Sequence, residues 1–307
     1  MCGIFGGIGI SKGDAHTCLQ SILRGNDGIT VKQYGDVIMG SRRHRVKNSF
    51  KAGVKIGASD QPYESNNGTI SIVFNGELYN FNKIRNSLSN LNIEFDTEGD
   101  TEVFLRLYEM YGAKFLTEKP IDSLFAISVL DQTRNKLMIA RDWPGRIPLF
   151  YYYDQSNQKF LFSSELKGFR PIDWIDLAEP IELKPGVIAE LDLDSFELTF
   201  NNIYTPIPKK TPSKLEDIGE TLHNILVKSG RMRTMGDVPI CTMFSGGIDS
   251  VLTSYYVLDA IDWKRVDYQP TSYVFAVDGE VSEDVRRAKI AAEGFKSIGL
   301  ELKEVNA

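Results

Sequence analysis

The sequence predicts two regions of different fold class: an α+β region of packed antiparallel sheets, then a shorter α/β region built on a parallel sheet. Three observations predict this division. Short β-type runs that end in turn residues, interleaved with a few helical patterns, fill roughly the first 200 residues. A proline-rich segment with two adjacent lysines follows at residues 204–212. Beyond it strands and helices alternate, which is the pattern of a parallel sheet.

The first region, residues 2–203, is predicted to be one domain. Its strands are expected at residues 2–10, 36–41, 54–58, 69–75, 124–131, 136–141, 148–153, 159–164, 187–192 and 196–200. Apolar residues at helical spacing predict helices at residues 14–24, 80–90 and 100–112. The pair Asn75-Gly76 is a frequent turn dipeptide, so the strand before it is predicted to end there.

The second region, residues 213–307, follows the linker. It is predicted to contain helices at 213–230, 249–260 and 283–297, and strands at 239–244, 271–277 and 300–305. Parallel strands normally have both faces covered, and three of them make a thin core. The sequence therefore predicts an abbreviated α/β domain with an uncovered sheet edge and exposed apolar surface.

Composition argues against several classes of protein. The net charge of −6 and the isoelectric point near 5.3 give no electrostatic footprint for nucleic acid. Three scattered cysteines, Cys2, Cys18 and Cys241, are too few for a disulfide framework or a zinc site, and they fit a reducing compartment. No apolar run approaches the ~18–20 residues that cross a bilayer, and no signal peptide is recognisable. We therefore expect a soluble, cytoplasmic protein that binds neither nucleic acid nor membrane.

The cysteine at position two carries the first chemical signal. Removal of Met1 would leave Cys2 as the N-terminal residue, with its α-amine beside its own thiol. A thiolate is the nucleophile, and an α-amine with an ordinary pKa of about 7.7–8.0 is partly neutral near physiological pH. One residue would then supply both nucleophile and base. The alternative is a small apolar residue buried on a first strand.

A second signal lies between a predicted strand and a predicted helix of the second region. This loop combines two glycines, two serines and an aspartate: Ser245, Gly246, Gly247, Asp249 and Ser250. Glycines let the backbone approach an anion, and amides at a helix N-terminus together with serine hydroxyls bind phosphate oxygens. Asp249 is expected to hold a magnesium ion that neutralises the phosphates. The alternative is a turn in which serine and aspartate only cap the helix.

Cys2 and this loop occur in one chain with several further motifs. These are Met1-Cys2-Gly3-Ile4-Phe5-Gly6, Arg24-Gly25-Asn26-Asp27, Phe74-Asn75-Gly76-Glu77-Leu78-Tyr79-Asn80, Gly99-Asp100-Thr101-Glu102, Ala140-Arg141-Asp142-Trp143-Pro144-Gly145-Arg146-Ile147-Pro148-Leu149 and Ser163-Ser164-Glu165-Leu166-Lys167. Together they resemble glutamine-dependent asparagine synthetases, and the loop resembles the pyrophosphate loop of N-type ATP pyrophosphatases. The resemblance implies an Ntn-type αββα sandwich, which is a class II glutamine amidotransferase domain. A truncated, ATP-pyrophosphatase-like synthetase domain is expected to follow it.

The resemblance also implies a reaction. Cys2 would attack the glutamine carboxamide, form a glutamyl thioester and release ammonia for the ATP-dependent amidation of aspartate. Glutamine, aspartate and ATP with Mg²⁺ are therefore the expected ligands. The Asn75 side chain and the Gly76 N–H would stabilise the oxyanion as it develops. The alternative for Asn75 and Gly76 is a simple hairpin turn.

Three further residues are implied to bind the glutamine substrate. Glu77 and Asp100 would bind its α-ammonium group, and Arg43 would bind its α-carboxylate through a bidentate contact. Asp100 has an alternative role as a helix N-cap. Arg42 and Arg45 lie close to Arg43 in the sequence, so each of the three arginines is also open to interpretation as a solvated charge.

Two departures from the family pattern affect the glutamine-site loop. Asn26 replaces a proline, and His44-Arg45 replaces small or apolar residues. The imidazole of His44 is expected to have an ordinary surface role. The motif Ser163-Ser164-Glu165 is expected to be structural.

Members of the resembled family continue beyond the point that matches Ala307. The synthetase half is therefore expected to be incomplete without a partner, either a second protein chain or a homo-oligomer. Two alternatives remain for the function. One is an amidotransferase or cyclising ligase similar to β-lactam synthetases that acts on another acceptor. The other is a non-catalytic regulatory subunit.

Overall fold

The computed structural model describes residues 1–45, 60–203, 214–234, 236, 238–261, 266, 268–269, 271–276 and 282–306. The chain divides into two compact units, Met1–Ile207 and Pro208–Ala307. The strand predicted at 54–58 and the linker predicted at 204–212 lie outside the described residues.

The described part of the first unit contains runs of consecutive strands separated by a few helices. The strands are β1 Gly3–Ile8, β2 Ile29–Tyr34, β3 Val37–Arg42, β4 Tyr63–Glu64, β5 Ile70–Leu78, β6 Ser123–Asp131, β7 Lys136–Arg141, β8 Phe150–Asp154, β9 Lys159–Ser163, β10 Ile181–Glu182, β11 Val187–Asp192 and β12 Leu198–Asn202. The helices are α1 Lys12–Ser21, α2 Phe81–Ser89, α3 Asp100–Tyr111 and α4 Phe115–Glu118, with 3₁₀ turns at Gly112–Lys114 and Leu166–Phe169.

These strands form two antiparallel sheets. The first has the order β10-β8-β9-β1-β3-β2, and the second has the order β12-β11-β7-β6-β5-β4. One core cluster joins the facing sides of the sheets and includes Ile4, Met39, Val73, Ile139 and Phe162. Because the alternating side chains of a strand point to opposite faces, each sheet has a second face to cover.

Helices cover the outer faces of both sheets. Helix α1 packs Cys18 and Leu19 against Phe5 of β1 in a second core cluster. On the other side, the Phe104 ring of α3 makes edge contacts with Phe74 of β5 and with Phe125 of β6. The layers are therefore helix, sheet, sheet, helix, which confirms the predicted αββα sandwich.

Strand β5 of this unit runs further than expected, and sequence reasoning missed β2 and the two-residue strands β4 and β10. The prediction that Asn75-Gly76 ends a strand is wrong, because β5 continues to Leu78 and pairs with β6 along its whole length. Gly76 fits this ladder because a Cβ at this position would lie 2.0 Å from the Leu124 carbonyl oxygen. Strand β2 was missed since it forms the edge of its sheet and none of its residues is buried, so it has no buried alternation.

The second unit contains a three-stranded parallel sheet, as predicted. Its strands are β13 Cys241–Met243, β14 Thr271–Ala276 and β15 Glu301–Asn306, in that order across the sheet. Its helices are α5 Leu215–Arg233, α6 Ile248–Asp259 and α7 Glu283–Glu293, with a 3₁₀ turn at Lys296–Ile298. A core cluster that includes Phe244, Leu258, Val274, Val285 and Phe295 joins the sheet to α6 and α7. Helix α7 ends four residues earlier than the predicted 297, at Glu293.

Candidate functional site

The Cys2 thiol lies at the start of β1, and the residue is only 6% exposed. Two donors from the segment after β3 point at its sulfur. The His44 backbone N–H lies 3.4 Å from Cys2 Sγ, and Arg43 Nη1 lies 3.7 Å from it. The Cys2 thiol also lies 3.7 Å from the His44 carbonyl oxygen, so a guanidinium, a backbone N–H and a backbone carbonyl surround one sulfur.

The three arginines that the sequence left open differ in their contacts, although Arg43 shares Asp60 with Arg45, since Arg43 Nε lies 3.8 Å from Asp60 Oδ1. Arg42 donates to the backbone carbonyls of Gln20, Ile22 and Gly25, so it ties α1 and the following loop to β3. Arg45 forms a two-point ion pair with Asp60. Of these three side chains, the Arg43 guanidinium is the one that contacts the cysteine sulfur.

A serine hydroxyl connects the strand of Cys2 with the predicted oxyanion residue. Ser164 Oγ accepts the Ile4 backbone N–H at 2.9 Å, and Asn75 Nδ2 lies 3.4 Å from the same oxygen. Ile4 is on β1 of one sheet and Asn75 is on β5 of the other. Ser164 therefore joins the two sheets beside Cys2, which fits the expected structural role of 163–165, although sequence reasoning did not predict this particular contact. The signal in the sequence that pointed to Ser164 was its place in the motif Ser163-Ser164-Glu165.

The Asn75 side chain is fully buried in this position. Its amide carries two hydrogens on Nδ2, and the contact to Ser164 uses only one of them. Its Oδ1 is a buried acceptor without a hydrogen-bond partner among the described residues. A buried polar atom left in this state is uncommon and is often found where a ligand binds.

The end of β5 meets the first turn of α3. Asp100 Oδ2 accepts the Leu78 backbone N–H at 3.0 Å. The helix begins at Asp100 and its N-cap residue is Gly99, so the alternative of Asp100 as the N-cap is wrong. The buried Glu102 carboxylate accepts the Asp96 and Thr97 backbone N–H groups, which holds the loop before the helix. The predicted ammonium-binding residue Asp100 therefore stands beside the strand that carries Asn75.

The chain's N-terminal amine also lies close to this site. Burial lowers the pKa of the Met1 amine, and Arg24 lowers it further, whereas Cys2 and Glu77 raise it. The pKa of the Met1 amine therefore responds to the Glu77 charge. The pKa of the His44 imidazole is lowered by burial first and then by the N-terminal amine, and Asp27 opposes this change.

A salt bridge anchors the loop next to this amine. Arg24 Nε donates to Glu165 at 2.8 Å, and Lys167 Nζ lies 3.0 Å from the same carboxylate. Glu165 also accepts the Leu23 backbone N–H. The Arg24 and Glu165 motifs, far apart in sequence, therefore form one contact that holds the loop after α1.

The phosphate loop of the second unit has the predicted strand-loop-helix context. Helix α6 begins at Ile248, one residue before the predicted start at residue 249. The Ser245 and Ser250 hydroxyls lie 3.2 Å apart, and Ser250 Oγ donates to the Gly247 carbonyl. Gly246 has a φ of +77°, and a Cβ there would lie 2.4 Å from the Ala288 backbone nitrogen of α7. Glycine is therefore required at Gly246 for both conformation and space.

A cavity of about 220 Å³ opens beside this loop. Its polar lining comes from Ser245, Ser250 and Asp284, and apolar walls come from β13 and β14. Asp249 is exposed in the first turn of α6 and does not line this cavity. Within the described ranges no cluster of three or more His, Cys, Asp or Glu side chains is present. Mg²⁺ bound together with phosphates normally needs only one or two carboxylates, so the donors of this loop fit such an ion.

Comparison with known proteins gives the class of the chain. A family described as a glutamine amidotransferase domain matches residues 1–216. A second family, described as asparagine synthase, matches residues 221–303. The chain therefore belongs to the glutamine-dependent asparagine synthetase family, as the motifs predicted.

Individual relatives agree with this family. The chain is 30% identical to asparagine synthetase [glutamine-hydrolyzing] 1 of Arabidopsis thaliana, over 95% of this chain and 48% of the relative. It is 29% identical to a probable asparagine synthetase [glutamine-hydrolyzing] of Acanthamoeba polyphaga mimivirus, over 94% of this chain and 54% of the relative. The chain thus spans about half the length of the curated relatives it matches.

Solved structures support the fold. The allosteric regulatory enzyme of purine biosynthesis aligns with a TM-score of 0.55 at 15% identity, over 99% of this chain and 80% of that one. Glutamine phosphoribosylpyrophosphate amidotransferase from B. subtilis aligns with a TM-score of 0.53 at 16% identity, over 99% and 81% of the two chains. None of the helices in the described part of the chain is long and apolar enough to cross a membrane.

Proposed function

We propose that the first unit hydrolyses glutamine to glutamate and ammonia, with Cys2 as the nucleophile. The observation that carries this proposal is the surroundings of the Cys2 sulfur, where a guanidinium and a backbone N–H converge on one buried thiol. Family membership supports the reaction class, because the relatives are named for glutamine hydrolysis.

The reaction begins when Met1 has been removed and Cys2 carries the free α-amine. This amine takes the thiol proton, and Sγ attacks the side-chain carbonyl carbon of glutamine. Asn75 Nδ2 and the Gly76 N–H donate to the oxyanion that forms. The α-ammonium returns its proton to the leaving nitrogen, the C–N bond breaks, and ammonia leaves a glutamyl thioester on Cys2. Water then adds to the thioester carbonyl and releases glutamate and the thiol.

The same site offers charges for both ends of the substrate backbone. Arg43 binds the α-carboxylate of glutamine, while Glu77 and Asp100 bind its α-ammonium. Two contacts support this assignment. The Arg43 guanidinium is next to the nucleophile, and the Asp100 carboxylate is anchored to the strand of the oxyanion donors through the Leu78 N–H. The Glu77 charge raises the pKa of the Met1 amine at this end of the chain.

We further propose that the second unit binds ATP with Mg²⁺ at the loop from Ser245 to Ser250. The serine hydroxyls, the backbone of Gly246 and Gly247, and the N-terminus of α6 bind the phosphates. Asp249 and Asp284 are the carboxylates available for Mg²⁺. When bound, ATP activates a carboxylate, with aspartate as the proposed acceptor of ammonia. We also propose the domain division: an amidotransferase domain at 2–203, a linker at 204–212 and a partial synthetase domain at 213–307. A partner chain or homo-oligomer that completes the synthetase domain remains a prediction.

Ammonia release from glutamine tests the proposal. Cys2→Ala is expected to lower glutaminase kcat at least about 10³-fold, because the nucleophile is lost. Cys241→Ala is the matched control, since this exposed cysteine lies in the other unit and should leave the rate unchanged. Full activity of Cys2→Ala would contradict the proposal. Asparagine formation with ATP and aspartate tests the acceptor separately.

A further inference from the structure

Gln61 is fully buried beside the proposed glutaminase site and makes three hydrogen bonds. Its Oε1 accepts the Phe74 backbone N–H at 2.6 Å, and its Nε2 donates to Thr101 Oγ1 at 3.0 Å. Its backbone carbonyl accepts the Ser41 hydroxyl at 2.9 Å. The side-chain oxygen, the side-chain nitrogen and the backbone carbonyl of Gln61 therefore each form a hydrogen bond.

Each partner of Gln61 is next to a residue of the proposed site. Phe74 immediately precedes the oxyanion residue Asn75 on β5. Thr101 immediately follows Asp100 in the first turn of α3. Ser41 lies on β3, two residues before Arg43. One buried side chain and its backbone thus connect the elements that carry the oxyanion donor, the ammonium-binding carboxylate and the carboxylate-binding arginine.

The reason for a glutamine at this position follows from the strand pairing. The short strand β4 pairs Tyr63 with Ile72 and Glu64 with Ser71, and continued pairing would set residue 61 opposite Phe74. Pro62 intervenes and has no N–H to donate, so the regular ladder stops. The Gln61 side chain then satisfies the buried Phe74 N–H that β4 does not reach.

We propose that Gln61 is a positioning residue that sets the distance between the oxyanion donors and the groups that bind the glutamine backbone. This inference rests on the proposed glutaminase function. Without the amide, Phe74 N–H and Thr101 Oγ1 lose a common partner, and β5 and α3 can shift relative to each other. A misplacement of about 1 Å costs on the order of 100-fold in rate at such a site. Both kcat and the KM for glutamine depend on this alignment.

Gln61→Met is the primary test, because methionine fills a similar volume and removes both side-chain hydrogen bonds. We expect kcat/KM for glutamine to fall by about 10- to 100-fold, with a higher KM and a lower kcat per competent site. Competent sites are counted by covalent labelling of Cys2 with 6-diazo-5-oxo-L-norleucine. A loss of folded protein alone would lower the site count and leave KM and kcat per site unchanged.

Two milder variants keep the test decisive if Gln61→Met folds poorly. Thr101→Val removes only the bond from Gln61 Nε2 and should raise the KM for glutamine less than Gln61→Met does. Gln61→Glu keeps an acceptor for the Phe74 N–H and should retain more of kcat than Gln61→Met. If neither variant changes the kinetic constants by more than about twofold, the inference is overturned.

Asp131→Asn provides the matched control. Asp131 is also fully buried and accepts the Thr133 and Arg134 backbone N–H groups, but it pairs with Ile70 at the other end of β5. The Asp131→Asn variant should have a lower free energy of unfolding and an unchanged KM for glutamine. Absence of ammonia release by the wild-type protein would overturn the proposed function and this inference together. Wild-type activity with unchanged constants in Gln61→Met would overturn the inference alone.

Discussion

The two units build their candidate sites in different ways. In the first unit, the buried Cys2 thiol contacts the segment after β3, Ser164 joins β1 to Asn75 of β5, and Asp100 of α3 binds the end of β5. In the second unit, one contiguous loop from Ser245 to Ser250 supplies the proposed phosphate contacts, and Asp249 is exposed. Covalent chemistry needs groups fixed from several directions, whereas phosphate binding relies on the backbone of one helix N-terminus. Mutations should therefore act through long-range packing in the first unit and through local backbone geometry in the second.

The largest expected effect comes from the oxyanion residue. Asn75→Ala should lower glutaminase kcat by about 10²–10³-fold, because it removes a donor that acts in the transition state. Steady-state ammonia release measures this change. Ser128→Ala is the control, since Ser128 is equally buried in the same pair of strands and has no hydrogen-bond partner in the described structure. A rate for Asn75→Ala within a few-fold of the wild type would leave Asn75 with a structural role.

The next largest effect is on the KM for glutamine, and it distinguishes Arg43 from Arg45 in the segment after β3. Arg43→Lys should raise the KM for glutamine by about 10- to 100-fold, as expected for a charge-assisted hydrogen bond of about 1.5–3 kcal/mol. Lysine keeps the charge and loses the bidentate geometry. Arg45→Lys alters the shorter of the two ion pairs that Asp60 forms with Arg45 and Arg43, leaves Arg43 in place, and should change the KM much less. Equal effects of the two substitutions would remove Arg43 from its proposed role.

Two adjacent glycines of the second unit test whether local backbone geometry controls ATP binding. Gly246→Ala should weaken ATP binding about tenfold or more, because strain of roughly 1–3 kcal/mol is expected at its positive φ and crowded Cβ position. Gly247 has an ordinary φ of −73°, and a Cβ there would meet only Ser245 Oγ at 3.6 Å. Gly247→Ala should therefore bind ATP more tightly than Gly246→Ala. Titration calorimetry with ATP and Mg²⁺ measures both, and an equal loss would contradict the local account.

The smallest effect concerns pH. The pKa of His44 is lowered from 6.5 by burial, with contributions from the N-terminal amine and Arg43, while Asp27 opposes them. The unfolded chain then takes up this proton at a higher pH than the folded chain. The His44 contribution therefore lowers the free energy of unfolding as the pH falls through about 6.5. His44→Gln should show a shallower loss of stability towards acid pH than the wild type in denaturant titrations, and an unchanged slope would contradict this account of His44.

Sequence reasoning predicted most elements of both units because their apolar periodicity is strong. It gave the αββα class through the motif resemblance and the parallel sheet through the alternation of strands and helices. It placed a turn at Asn75-Gly76 because local turn propensity favours one. The pairing of β5 with β6 overrides that propensity.

The contacts that organise the site could not be predicted from sequence. Ser164 is 89 residues from Asn75, and Gln61 is 40 residues from Thr101. Only the packing of two sheets and a helix brings these side chains together. Which of the three arginines contacts the Cys2 sulfur likewise could not be read from the sequence, because all three lie within a stretch of four residues, 42–45.

The most direct test of the central claim is the mass of the N-terminal peptide after the protein reacts with 6-diazo-5-oxo-L-norleucine. The account predicts that active protein lacks Met1 and carries a single adduct on Cys2, with none on Cys18 or Cys241. It also predicts that glutamine in excess protects Cys2 from labelling. Full glutaminase activity in protein that retains Met1, or inactivation by an adduct at another residue, would contradict it.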